Sequence, residues 1–583
     1  MKKVLALILA CVMLLSLAAC TTGVTPSSNE PAAEAEKEDN AEAQEPAEAE
    51  EAEEAEEAGE AEEAGEAEAA SELVDGKFAE TRHITVEIYD RNNDGGSDPT
   101  NNAYTEYIKK GMLEQHNVEV EFVAVPRWTE VDDINTHLAA GTAPDICVTY
   151  SYPTIKAYAD MDAVIDLRPY LDNYKDELPN LWNWLGETNL YWDSDPNDGT
   201  TWAIEAKLAN MNRVITFVRK DWLDALGLEE PTTKEEFHDM LVAFKDNAET
   251  LLGEDADKLI PYSVSFDVGW RAATLIESFL DPDMSDKEYY VNGFDDRKLT
   301  QNGTKEAVRL LNQWYNEGLM WNDFALYGSG DTTEDDMMKA GYVGAFSHNW
   351  DYPWRGGDDS IAANLKRLVG EDAKYIAIDP FEDQNGGHNK FLAGPIDRKV
   401  FFPITNDEPL ASMLYLDFIS DPETIQYLQI GEEGVTHNVL EDGAIEIIAA
   451  TGDSIQNSGM NIDYTITCNG LHLLTDELTS KSLAHTYAGA DPEDILRADQ
   501  IAKTDTRVGI NVQTGDIEAE GGVGDTLSSK RDQVYDLSVK AAVEDFDTVW
   551  DEGIAEYLSS GGQDIIDERT AAWDAVYSTD NIR

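Results

Sequence analysis

Apolar and polar residues follow two rhythms along this chain, and the rhythms take turns. Ile84-Thr85-Val86-Glu87-Ile88-Tyr89 and Val118-Glu119-Val120-Glu121-Phe122 alternate with a period of two, which predicts half-buried strands. Residues 104–114 between them predict a helix, so this stretch reads β-α-β. Further strands are predicted at 145–150, after the turn Gly141-Thr142-Ala143-Pro144, and at Val214–Arg219. Phe237, Met240, Leu241 and Phe244 repeat at helical spacing behind a possible capping box, Thr233-x-x-Glu236. Val308, Leu311 and Tyr315 make a second helical stripe that Gly318 stops, and Asp421-Pro422 opens a third helix. Strands alternating with helices imply an α/β fold with mainly parallel sheets. In such sheets ligands sit beyond the carboxyl ends of the strands, so the loops after Tyr89 and Tyr150 come first as candidate sites.

The first 75 residues follow neither rhythm. Lys2 and Lys3 precede an apolar run over residues 4–15, and small residues then lead to Cys20. A charged start, an apolar stretch and a small-residue cleavage site make an export signal, too short to persist as a membrane span. Leu17-Ala18-Ala19-Cys20 resembles the lipobox of bacterial lipoproteins, which implies cleavage after residue 19 and acylation of Cys20. An ordinary secretory signal with a chance cysteine is the alternative. Residues 20–75 are dominated by Ala and Glu with interspersed Pro, Ser and Gly. They cannot bury enough apolar surface to offset ordering, so a solvated tether is expected. A basic partner for this acidic run is the other reading.

Charge narrows the function. The net charge is -75, and only about 20 of those negative charges belong to the tether, so the body is strongly acidic as well. Nucleic acid is excluded as a partner for want of a basic footprint, and polyanionic ligands are disfavoured. Beyond Cys11 and Cys20 only Cys147 and Cys468 remain. Free buried thiols are expected, with a Cys147–Cys468 disulfide as the alternative.

Several motifs in a fixed order then carry a resemblance. These are Leu138-Ala139-Ala140-Gly141-Thr142-Ala143-Pro144-Asp145-Ile146, Thr201-Trp202-Ala203-Ile204, Val218-Arg219-Lys220-Asp221-Trp222-Leu223 with Gly227-Leu228 and Phe237, Gly341-Tyr342-Val343-Gly344-Ala345-Phe346 with Trp350, and Pro422-Glu423 with Gly431-Glu432-Glu433-Gly434. Together they resemble extracellular solute-binding protein family 1, the carbohydrate-receptor lipoproteins of ABC importers. Two departures stand out: Glu205 where that family has Pro, and Thr233 where Trp is frequent. The resemblance implies a two-lobed, periplasmic-binding-protein-like (type II) α/β fold with a hinge and an interlobe cleft. It places residues 76–212 plus 390–434 in lobe one and 213–389 plus 435–583 in lobe two. It further implies an extracellular, lipid-anchored monomer that captures a sugar, an oligosaccharide by choice, and passes it to ABC permease subunits, without enzymatic activity, cofactor or metal.

Sugars present apolar C–H faces and rings of hydroxyls, so flat aromatics beside oriented polar groups are the side chains to seek. The resemblance puts Trp350 in the pocket, with Trp354 extending the platform. Trp270 with Arg271 and Trp128 follow predicted strands, Tyr150 ends one, Asp90 and Arg91 open the loop after Tyr89, and Glu205 lies in the departing motif. Asp90, Asn92, Asp94 and Gly95 match the start of an EF-hand loop, but the twelfth position is Asn101 instead of Glu, and the loop follows a strand. A hydroxyl-binding loop is the preferred reading. The rival classes are an exported carbohydrate-active hydrolase, a peptide receptor of the same fold, and an adhesin.

Overall fold

A computed structural model describes residues 73–92, 97–195, 198–209, 214–328, 330–391, 396–507 and 517–582, with 509, 510, 512 and 514. The export signal, Cys20, most of the tether, and Asp94 and Gly95 of the EF-hand-like loop lie outside them. Met1–Val74 and Asp75–Arg583 are separate units of the chain.

The chain order explains the architecture of the second unit. Strand β1 (Arg82–Asp90), helix α1 (Ala103–His116) and strand β2 (Val118–Pro126) form the predicted β-α-β unit, with β1 and β2 parallel over their full length. Asn102 starts α1 by accepting from the backbone N–H of Tyr104 and Thr105, and Asn117 ends it in the left-handed conformation. Helix α2 (Glu130–Ala140) leads to β3 (Cys147–Thr149), and β4 (Ile204–Leu208) follows. The chain then crosses to a second sheet: β5 (Val214–Arg219), helix α3 (Lys234–Asp246), β6 (Ile260–Ser263), helix α4 (Thr304–Asn316), β7 (Val343–Asn349) and β8 (Tyr375–Ile378). It returns for β9 (Ile396–Phe401), helix α5 (Pro422–Ile430) and the short β10 (Cys468–Asn469). Helix α6 (Pro492–Lys503) packs back on β8 of the second sheet, and α7 (Gly524–Lys540) packs on α4.

The first sheet runs β2-β1-β3-β9-β4-β10, with β1 joined just ahead of β3 by two backbone hydrogen bonds, Glu87 N–H to the Ile146 carbonyl and Ile146 N–H to the Thr85 carbonyl. The second runs β8-β5-β7-β6. Both are mixed. β9 is antiparallel to both of its neighbours, and β5 is antiparallel to β7 and β8. The expectation of mainly parallel sheets is therefore corrected: β5 and β9, the strands by which the chain enters each sheet at a crossing, run against the others. The expected boundary at residue 434 is corrected too. β10 lies parallel to β4 through Cys468 and Asn469 and satisfies the edge of the first sheet, so the chain stays with that sheet well beyond Gly434.

Apolar periodicity built the cores. Phe237, Met240, Leu241 and Phe244 of α3 are all buried, and Thr233 caps the helix by accepting from the Glu236 N–H. Glu236 does not close a capping box; its carboxylate accepts from the N–H and hydroxyl of Thr232 instead, one residue earlier. Within the second core Gly344 is required: a Cβ there would lie 2.7 Å from Phe244, 2.8 Å from Trp222 and 2.9 Å from the carbonyl of Pro261. Cys147 and Cys468 are free and buried, each thiol pushed up by desolvation, Cys468 to about 12.

Candidate functional site

Register places the site. The parallel strands β1, β2 and β3 end at Asp90, Pro126 and Thr149 on one side of the first sheet, and β4 leaves that sheet at Leu208 on the same side. In the second sheet Val214, where β5 begins, pairs with Asn349, where β7 ends. The crossing from Leu208 to Val214 thus joins the carboxyl ends of both sheets, and the return into β9 lies beside it. Ligands of α/β sheets sit at such ends.

At the first rim, Tyr89 and Tyr150 lie nearly parallel, 6.4 Å apart at 16°. The Arg127 guanidinium covers them, 4.4 Å from the Tyr150 ring, 5.0 Å from Tyr89 and 5.2 Å from Trp128. Its Nη1 also donates to Glu130 at 2.7 Å, and Glu130 in turn accepts from the Thr149 hydroxyl at 2.9 Å. Trp128 ends the row with 54% of its surface exposed. It reaches the second lobe, since a Cβ at Gly330 would sit 3.1 Å from its indole nitrogen. Arg91 forks onto Asp463, Nε at 2.6 Å and Nη2 at 2.8 Å. Asp463 is buried on a loop where Met460 and Asn461 both hold left-handed backbone, and Asn457 pins this loop by donating to the Tyr89 carbonyl at 3.0 Å. Asp90 turns inward on its own loop and accepts from the Asn92 N–H at 2.8 Å.

Beneath this platform Glu87 is buried, its carboxyl pushed well up by desolvation, with Oε2 accepting from the Val148 N–H at 2.8 Å. A narrow gap is lined there by Glu87, Tyr89, Val148, Arg398, Asp463 and Ile466; it has no room for a water molecule and is a packing gap.

The second rim is built differently. Trp270 is half-buried, edge-on to His348 at 5.0 Å and parallel to Phe266 at 6.3 Å. Phe266 and Asp267 are both left-handed, a strained corner held by Arg297 on the Asp267 carboxylate at 2.6 and 2.9 Å. His348 stacks on Tyr352, and desolvation keeps its imidazole well below the usual value, hence neutral.

Four expectations are corrected here. Trp350 and Trp354 are 7% and 4% exposed and belong to the second core, both against Tyr487 and Trp354 edge-on to Phe217. Arg271 is wholly buried, spanning Glu334 at 2.7 and 2.9 Å and the carbonyls of Ser265 and Ser347. Glu205 is also wholly buried, 3.1 Å from Lys399 and beside Asp193, whose carboxyl burial and Glu205 push well up. In each case the side chain completes an internal contact. Asp90, Arg91, Trp128 and Tyr150 share the first rim, and Trp270 lies on the second. The sequence reading overlooked Tyr89 and Arg127, each adjacent to a chosen residue. It also overlooked Asp463, which sits 372 positions from Arg91 and leaves no local signal.

Among the described residues no group of three or more His, Cys, Asp or Glu is disposed to hold a metal, and no helix is long and apolar enough to cross a membrane.

Comparison with known proteins places this geometry. The chain is similar to the polygalacturonan/rhamnogalacturonan-binding protein YtcQ of Bacillus subtilis, 24% identical over 354 residues that cover 56% of this chain and 62% of that protein. It is also similar to the lipoprotein LipO of the same organism, 26% identical over 251 residues, 40% of this chain and 45% of that one. The chain thus spans less than two thirds of either relative. In fold it is similar to the alginate-binding protein AlgQ2, with a TM-score of 0.59 at 15% identity over 85% of this chain and 99% of that one. The ABC-transporter substrate-binding protein FusA of S. pneumoniae, solved with kestose, gives 0.58 at 15% identity over the same shares. The sequence model of the bacterial extracellular solute-binding proteins matches residues 104–438, more than half of the chain, and the protein belongs to that family.

Proposed function

We propose that this protein is the receptor of an ABC importer, held outside the cytoplasmic membrane by acyl chains on Cys20, and that it captures an oligosaccharide between its lobes for delivery to a permease. The observation that carries the reading is the aromatic pair at the strand ends beside the crossings, Tyr150 half-buried and Trp128 exposed. Ring faces there suit the C–H faces of sugars, and the neighbouring carboxylates and amides suit their hydroxyls. The names of the similar proteins support it: one is polygalacturonan/rhamnogalacturonan-binding, one is alginate-binding, and one was solved with kestose.

The lobes would be residues 76–209 with 396–469, and 214–391 with the C-terminal segment. Closing them over a solute favours one of two pre-existing arrangements by the difference in affinity, and the closed form is what a permease would recognise. A family of binding proteins supports transport without chemistry on the solute.

The test is a thermal-shift screen of the purified protein against oligosaccharides and peptides, with product analysis of each hit. A bound sugar at 100 times its Kd adds about 2.7 kcal/mol of stability and should return unchanged. Hydrolysis of the hit would make the protein an enzyme, and a peptide-only response would leave the fold assignment intact but end the sugar reading.

A further inference from the structure

Resting on the sugar reading, we infer that His348 is a ligand-binding residue of the second rim, an imidazole locked in one tautomer whose Nε2–H donates to an acceptor oxygen of the captured sugar beside the indole of Trp270. The lock comes from the backbone. His348 is the penultimate residue of β7, across from Ile215 near the start of β5, and so stands next to the crossing. Its Nδ1 accepts from the N–H of the following residue, Asn349, at 2.8 Å. A ring nitrogen that accepts carries no proton, so the proton of this ring is on Nε2. The same bond tips the ring toward the carboxyl end of the strand and leaves Nε2 on the edge turned away from it.

Packing holds that orientation. Tyr352 lies on the face of the ring with the two planes 12° apart, and its hydroxyl donates to Asp335, 2.9 Å from each carboxylate oxygen. Trp270 stands 5.0 Å away at 86°, on a turn where a Cβ at Gly269 would lie 2.7 Å from Arg297 and 2.8 Å from Tyr535. His348 is only 6% exposed, yet among the described residues its Nε2–H meets no acceptor, and neither does the indole N–H of Trp270. A buried donor without a partner carries its desolvation cost uncompensated, and a solute oxygen placed there removes that cost. Protonation does not compete, because desolvation, and then the guanidinium groups of Arg271 and Arg355, hold the imidazole well below its usual value. With Nδ1 already taken, the ring can give one hydrogen bond and receive none. It therefore selects an oxygen that accepts, whether a hydroxyl, a ring oxygen or a glycosidic oxygen. Trp270 is half-buried and keeps part of its indole for the adjoining sugar ring.

The experiment is isothermal titration of the purified full chain with kestose, cellotetraose, xylotetraose, mannotetraose and tetragalacturonate, repeated on two variants. His348→Phe keeps a ring against Tyr352 and removes the donor, so the best-bound sugar should lose about tenfold or more in affinity. His348→Gln carries an amide N–H near the place of Nε2 and should recover affinity to within about threefold of the parent. A side chain that only fills space would give the opposite order, with Phe the better substitute. In protein labelled with ¹⁵N-histidine at pH 7, the His348 signal, identified by its loss in His348→Phe, should show a protonated Nε2 and a bare Nδ1. Its Nε2–H resonance should shift when the best-bound sugar is added.

Parent-like affinity in His348→Phe, or equal losses in both variants, would overturn this inference and leave the sugar reading standing. A doubly protonated ring or an Nδ1–H tautomer at pH 7 would overturn it as well. No response to any of the five sugars would overturn the sugar reading itself, and this inference with it.

Discussion

The two rims obey the same rule and reach opposite results. Each lobe sends an aromatic cluster out from the carboxyl ends of its strands. On the first rim Trp128 has more than half of its area in solvent and Tyr150 is half-buried, over a buried Tyr89. On the second, Trp350 and Trp354 follow β7 in the same way yet are buried. The difference is a piece of chain more than a hundred residues downstream. Tyr487 arrives from the C-terminal segment, contacts both indoles and donates its hydroxyl to Asp351, turning a prospective platform into core. The first rim receives a later segment too, but there Asp463 engages the charge of Arg91 and Trp128 keeps its exposure. What comes back over a strand end decides whether an aromatic binds or packs.

This contrast can be broken by substitution. Trp350→Ala should cost about 3 kcal/mol or more in denaturant unfolding, because it opens a cavity in the second core. A fully stable variant with lost ligand affinity would return Trp350 to the binding surface. Trp128→Ala should do the reverse: affinity falls about tenfold while the ligand-free protein stays within about 0.5 kcal/mol of the parent. Equal losses of stability for both indoles would erase the distinction between the rims.

Gly330 tests whether Trp128 also meets the opposite lobe. Its φ of 86° and the 3.1 Å approach of a would-be Cβ to the indole mean that Gly330→Ala strains the loop and pushes Trp128 away. Affinity should drop about threefold by titration calorimetry. The smallest effect concerns pH. Burial, and then Asp532, raise the Asp536 carboxyl to about 7 in the second lobe. The folded chain therefore holds a proton that the unfolded chain releases near pH 4, so stability declines as pH climbs through about 4 to 7. Asp536→Asn should flatten that decline and raise Tm at pH 8 by about 2 °C; a parent-like slope would assign the decline elsewhere.

Much of the fold was legible because it rests on local periodicity. Val214–Arg219 appears at its predicted limits, and the stripe from Phe237 to Phe244 is buried as its spacing requires. The mixed direction of the sheets was not legible, since strand polarity depends on which neighbour a returning segment joins. The site was half legible. Position at or after a strand end pointed to Asp90, Arg91, Trp128, Tyr150 and Trp270, which lie on the rims, but it also admitted Arg271, the resemblance admitted Trp350 and Trp354, and motif position admitted Glu205.

The amino-acid order alone determined the alternation of strands and helices, the acidic field and the two solitary body cysteines, because each depends on neighbours within a turn or on totals. Tertiary structure decided which guanidinium meets which carboxylate and which indole keeps a free face. Those outcomes depend on groups far apart in the chain, as with Arg91 and Asp463, and burial sets their energies only once the fold has brought them together.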